Sequence, residues 1–180
     1  MSLVLFDLNG TLLDPGKQLP VLQRAVQLAM AHTLAGDFRP FGELLEAAGG
    51  ETPDEMPAYD DAAPALARLD EAGHRLAVLT NSERATAERH LARARLDSAF
   101  ERVIGTDEIG AYKPERGVYL RTLELLDADA GDTWLVAAHE WDLVGAHSAG
   151  LRTAFVDRGL PAPSTITPDR SLTTLTELTI

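Results

Sequence analysis

The chain opens on an apolar run, Leu3-Val4-Leu5-Phe6, that ends on a carboxylate, Asp7, and is broken at Gly10 and Thr11. Four consecutive apolar residues stopped by a turn signal suit a strand buried on both faces, with the acid delivered to its carboxyl end. Leu19, Leu22, Val26 and Met30 then recur at helical spacing. That period predicts an amphipathic helix of about four to five turns, ended by Gly36-Asp37. A shorter helix is expected from Phe41 to Ala48, and Gly49-Gly50, Pro53 and Pro57, with acids between them, form a linker.

The pattern then alternates. Asp60 to Ala72 predicts a helix with Pro64 near its start, where the missing donor is tolerated, and Gly73 as its stop. His74 to Thr80 is a second buried strand, followed by a helix from Glu83 to Arg95 that Ser82 is placed to cap. Strands are expected at Phe100 to Gly105, Thr133 to Ala138 and Arg152 to Val156, with helices at Glu115 to Leu126 and Asp142 to Ala149. From Gly159 the tail carries Pro161, Pro163 and Pro168, and is expected to be mostly loop with a last turn near Leu172 to Leu178. Strands separated by helical stretches imply right-handed crossovers. The predicted fold class is therefore α/β, a Rossmann-like parallel sheet with helices on both faces.

Composition narrows the chemistry. A length of 180 residues, 45% of them hydrophobic, fits one domain with a sizeable core and room for a small insert. There is no cysteine, so disulfides, thiol nucleophiles and thiol-bound metals are excluded. The net charge of −12 argues against a nucleic-acid partner and requires any anion site to be a local pocket of donors. No basic leader with a long apolar stretch opens the chain and no run reaches membrane-spanning length, which points to a cytoplasmic protein with no membrane partner. The sequence leaves a homodimer open.

Four stretches fall at predicted strand ends or helix starts: Asp7-Leu8-Asn9-Gly10-Thr11, Leu79-Thr80-Asn81-Ser82, Tyr112-Lys113-Pro114, and His139-Glu140-Trp141-Asp142-Leu143-Val144-Gly145-Ala146. Each has a plain structural reading. Asn9-Gly10 signals a turn, Lys113 suits a solvated loop, Thr80-Asn81 suits a strand-end turn, Asp142 suits a helix N-cap, His139 a rim position and Trp141 packing. Against that, an aspartate buried at the end of an apolar strand is costly unless paired or hydrogen-bonded.

Taken in order, these motifs resemble those of the haloacid dehalogenase superfamily, and within it the type II 2-haloacid dehalogenase group, over nearly the whole chain. The resemblance implies a hydrolase core at 1–14 and 58–180 and a small helical cap insert at 15–57. It implies that Asp7 is a nucleophile forming an aspartyl ester that water cleaves, that Lys113 keeps Asp7 ionised, and that Asp142 either pairs with the lysine and helps to position water or sits beside a metal. Thr80 joins this catalytic set, and Asn9, Thr11, Asn81 and His139 are the expected contacts to a small anionic substrate.

Three departures bear on the reaction. Superfamily phosphatases usually carry a second aspartate two residues after the nucleophile, here Asn9, and a metal-binding aspartate after the fourth strand, here Ala137. A halide leaves as a stable anion and needs neither a proton nor a metal, so no cofactor is expected. An ion, if one bound, would draw only on Asp7, Asn9 and Asp142. The third departure is Leu22, aligned where the dehalogenases place a halide-cradling arginine, with Arg24 nearby but facing elsewhere. The expected activity is hydrolysis of a short 2-haloacid. The alternatives are a small-molecule phosphatase with weak Mg²⁺ dependence and a non-catalytic small-ligand-binding relative.

Overall fold

Six strands, β1 (Leu3–Phe6), β2 (Arg75–Thr80), β3 (Arg102–Gly105), β4 (Thr133–Ala137), β5 (Arg152–Val156) and β6 (Arg170–Leu172), form one sheet in the order β3-β2-β1-β4-β5-β6. Every pair is parallel in this computed structural model, which describes residues 1–180. β1 and β4 are buried along their whole length, as a strand covered on both faces demands, which is why β1 is an unbroken apolar run and β4 is one from Trp134 onward.

Helices α3 (Ala62–Glu71) and α4 (Arg84–Arg93), with Leu172, Leu175 and Leu178 of the tail, pack on one face against Val4, Phe6, Val78 and Val136. Helices α5 (Arg116–Leu126) and α6 (Glu140–Ser148) cover the other face against Leu5, Leu79 and Leu135. The chain steps from β1 to β2 and β3 on one side, then crosses to β4 and β5 on the other. The strand order therefore reverses beside β1, and a crevice opens at the carboxyl ends of β1 and β4, where ligands bind in sheets of this kind.

The remaining helices, α1 (Leu19–Ala35) and α2 (Phe41–Ala47), lie between β1 and α3 in sequence and form a separate cluster. Leu22, Ala25 and Ala29 of α1 bury against Phe41, Leu44 and Leu45 of α2. Tyr112 ties this pair to the sheet: its ring stacks on Phe38 at 4.9 Å and its hydroxyl donates to the Arg39 carbonyl at 2.5 Å. The outgoing and returning legs pair near their base, where Asp14 N–H donates to Pro57 and Tyr59 N–H to Leu12. The stretch from Gly49 to Pro57 is held as well, because His90 Nε2 donates to the Pro53 carbonyl at 2.7 Å and Arg93 to that of Asp54.

The structure corrects four sequence expectations. The tail contributes a sixth strand, β6, rather than only loop and turn; it adds to the edge of β5, and Asp157 N–H continues the pairing onto Leu172. Ser82 does not cap α4; the N-cap is Glu83, and Asp107 Oδ1 accepts from the Arg84 N–H at 2.9 Å. α6 begins at Glu140, with His139 as its N-cap, so Asp142 lies inside the first turn and does not cap. Phe100 precedes β3 and packs edge-on to Phe6 at 6.2 Å between ring centres.

Candidate active site

β1 carries Asp7 to the crevice, where 4% of the residue remains exposed. Lys113, in the loop before α5, is fully buried beside it and donates all three of its protons. Its acceptors are Asp7 Oδ1 at 2.9 Å, Asp142 Oδ2 at 2.5 Å and the Leu79 carbonyl at 2.9 Å. The second oxygen of each carboxylate is also engaged. Thr11 Oγ1 donates to Asp7 Oδ2 at 2.8 Å while accepting from Ala138 N–H, and Tyr119 donates its hydroxyl to Asp142 Oδ1 at 2.6 Å. Gly145 makes room for this: a Cβ there would stand 2.5 Å from the Tyr119 hydroxyl.

One ammonium thus serves two carboxylates, and the two respond in opposite directions. Burial pushes the Asp7 carboxyl up, but the Lys113 charge and the nearby His139 outweigh it and hold Asp7 well below the usual carboxylate range. For Asp142, burial is again the largest influence, and with the repulsion of Asp7 it leaves that carboxyl raised despite Lys113. Burial would lower the Lys113 ammonium, yet the attraction of Asp142 and Asp7 raises it, so it stays charged.

A cleft of about 340 Å³ opens above Asp7. Asn9, Thr80, Asn81 and His139 lie along its polar side. Asn9 Nδ2 donates to Ser82 Oγ at 3.0 Å, which leaves Asn9 Oδ1 buried without a partner. Thr80 Oγ1 accepts from Ser82 N–H at 3.2 Å, so its own proton is available to a ligand. Asn81 is committed to the frame, since its Oδ1 accepts from Lys113 N–H at 3.0 Å. His139 Nδ1 stands 3.3 Å from Asp7 Oδ2 but without the alignment of a hydrogen bond. Gly10, at φ +82°, lets the imidazole approach: a Cβ there would lie 2.8 Å from His139 Cε1.

All eight site residues expected from the sequence are gathered at one end of the sheet, with Thr11, Lys113 and Asp142 fully buried beneath Asp7 rather than on the cleft surface. Trp141, expected in packing, borders the cleft and tilts against His139 at 5.2 Å between ring centres. Leu22 stands on the opposite wall, and Arg24 is exposed on the outer side of α1. Sequence reasoning missed Tyr119, whose one visible signal is a phenol on the inner face of α5, and Ser82 as the partner of Asn9. It also missed Arg158, which donates through Nε and Nη2 to the Thr11 carbonyl at 3.1 and 3.0 Å while gripping Asp61.

The fold and this charge cluster define a hydrolase of the aspartate-nucleophile class, and the comparisons agree. The family described as haloacid dehalogenase-like hydrolase matches residues 22–156, and the chain belongs to it. The chain is 30% identical to (S)-2-haloacid dehalogenase 1 of Pseudomonas sp. (strain CBS-3), over 96% of this chain and 92% of that protein. That alignment runs over 210 residues, more than this chain contains, so the relative carries stretches absent here. L-2-haloacid dehalogenase from Xanthobacter autotrophicus, solved with chloropropionic acid covalently bound, shares the fold with a TM-score of 0.86, 22% identity and 98% and 96% of the two chains covered. A putative pyrophosphatase of Caldanaerobacter subterraneus is 35% identical, over 54% of this chain and 44% of its own length.

The pyrophosphatase relative raises the question of a divalent cation, and the donors here do not fit one. Both oxygens of Asp7 and of Asp142 already accept hydrogen bonds, and the Lys113 ammonium occupies the space between the two carboxylates. Ala137 offers a buried methyl, and Asn9 Oδ1 is the one buried side-chain oxygen in the cleft without a partner. A hard cation takes six or more oxygen ligands and would meet the lysine charge at close range.

Proposed function

We propose that the chain is a metal-independent 2-haloacid dehalogenase that works through an ester on Asp7. The observation that carries the reading is the Lys113 ammonium held between Asp7 and Asp142 at the floor of a cleft. It keeps Asp7 ionised across the ordinary pH range, as a carboxylate nucleophile requires. Asp7 attacks the halogen-bearing carbon; the new carbon–oxygen bond forms as the carbon–halogen bond breaks, and the halide departs with the bonding electrons. Water then adds to the Asp7 carboxyl carbon and the bond from that carbon to the substrate oxygen breaks; one proton of the water ends on the departing oxygen to give the 2-hydroxy acid, the other passes to solvent, and Asp7 returns as carboxylate. Negative charge on the carbonyl oxygen during the second step falls beside Lys113, whose ammonium already points there.

Residues 15–57 serve as a reduced cap over a core of 1–14 and 58–180, and Thr80 donates its free hydroxyl proton to the substrate carboxylate. Asn9 supports dehalogenation over phosphate release, since an amide cannot protonate an alkoxide leaving group. The test is halide release by Asp7→Asn, which keeps the side-chain shape. Turnover should fall to background while the thermal transition persists; a variant that releases halide at the parent rate would refute the reading.

A further inference from the structure

The cleft above Asp7 is divided by polarity, and the division points to the length of the substrate. The α1 wall is mainly apolar: Leu19, Leu22, Val26 and Met30 project from successive turns, Phe41 of α2 adds to them, and Gln23 and Gln27 are its polar members. No lysine or arginine borders the cleft, and the His139 imidazole that does is turned to Asp7, 3.3 Å from its Oδ2. Lys113 is buried below it with all three protons committed, and Arg24 faces outward. The carboxylate of a ligand is left mainly with the amides and hydroxyl of Asn9, Asn81, Thr80, Gln23 and Gln27, on a chain whose net charge is −12. Neutral hydrogen bonds formed in exchange for water contribute little net affinity. Burial against the α1 wall is then the larger available term. Volume agrees, because about 340 Å³ is far more than a three-carbon acid fills and lies in the range of sites that enclose larger ligands.

Resting on the dehalogenase reading, we propose that this site takes medium-chain 2-haloalkanoic acids. The halogen-bearing carbon sits over Asp7, and the aliphatic tail lies along Leu22, Val26 and Met30. Leu22 is the specificity-determining residue: with a leucine where the charged residue would stand, Leu22, Val26 and Met30 form an apolar strip along α1, edged by Gln23 and Gln27, and the halide departs without a lysine or arginine on that side. Short acids leave most of that wall in contact with water and lose the transfer energy it offers.

The experiment compares halide release from 2-bromopropionate, 2-bromobutyrate, 2-bromohexanoate and 2-bromooctanoate, alongside thermal shifts with the unhalogenated acids, which need no chemistry. Each buried methylene should raise kcat/KM about fourfold through hexanoate, carried by KM, and hexanoate should shift the transition further than propionate at equal concentration. Leu22→Gln should flatten both trends. Halide release that is fastest from 2-bromopropionate, or a slope that Leu22→Gln leaves intact, would overturn the tail site while leaving the dehalogenase reading standing. Length-dependent shifts with no halide from any acid would overturn the dehalogenase reading and keep the tail site.

Discussion

Replacing Lys113 by methionine tests the charge cluster most directly. The side chain is fully buried, and removing its ammonium leaves two carboxylates and the Leu79 carbonyl without their donor. Breaking a buried ion pair by removing one partner costs about 3–5 kcal/mol, because the charge left behind stays desolvated. With total stability on the order of 5–15 kcal/mol, that is a large fraction, and at about 2–4 °C per kcal/mol for a chain of this size the transition should drop by roughly 6–20 °C near neutral pH.

The pH dependence supplies the decisive sign. In the parent protein Asp7 is depressed, so its contribution is present above the unfolded carboxylate value of about 3.9 and is lost only as the pH falls through the folded value. In Lys113→Met, burial and mutual repulsion raise both carboxyls, and a raised carboxyl stabilises below the unfolded value and loses that contribution as pH rises through the folded one. The gap between parent and variant, measured by urea unfolding, should therefore narrow on going from neutral pH to about pH 5. Lys113→Met/Asp142→Asn, with one carboxylate fewer, should recover part of the loss. A gap below about 1 kcal/mol, the scale of an exposed pair, or one that acidification does not narrow, would refute the argument.

Three further outcomes are expected. Tyr119→Phe removes the 2.6 Å donor to Asp142 Oδ1 and should cost about 1.5–3 kcal/mol; the acid limb of the rate profile should move to higher pH, because that hydrogen bond favours the ionised form. Gly10→Ala meets both a φ of +82° and the His139 ring, so it should lower stability by about 1–3 kcal/mol and reduce halide release, read by thermal melts and initial rates. Exhaustive treatment with a chelator should leave halide release unchanged, since Lys113 holds the place a cation would need; activity restored only by added Mg²⁺ would contradict this.

Asp7 was legible from its place at the end of an apolar strand, whereas Lys113 and Asp142 were picked out by the resemblance of their motifs, since taken alone they suit a solvated loop and a helix cap. Tyr119 carries no mark of either kind. Its hydroxyl works by reaching from α5 across to α6, and in the sequence it is one more large residue on a buried face. Ser82 misled because a serine before a helix resembles a cap; the true acceptor for Arg84 N–H comes from Asp107, distant in sequence and brought near by the turn after β3. β6 is three residues long, too short to show a period, and pairs only because β5 presents an open edge. Leu19, Leu22, Val26 and Met30 announced their helix correctly but not what their stripe faces: much of it borders the cleft instead of a closed core.

The asymmetry between the two carboxylates also orders the proposed reaction in time. Before attack, Lys113 is shared, Asp7 is the more acidic group, and Asp142 is raised in part by the negative charge of Asp7. Once Asp7 is an ester its charge is gone and so is that repulsion. The ammonium then has one carboxylate left to pair with, and the balance at Asp142 shifts toward its ionised form in the step in which water attacks the ester. No group needs to move for this exchange. The formation of the ester itself removes the charge that opposes Asp142 and leaves its carboxylate anchored by Lys113 and Tyr119. Two acids and one base, placed by three separate strand-to-helix connections, are the smallest set in which the first step of the reaction prepares the second.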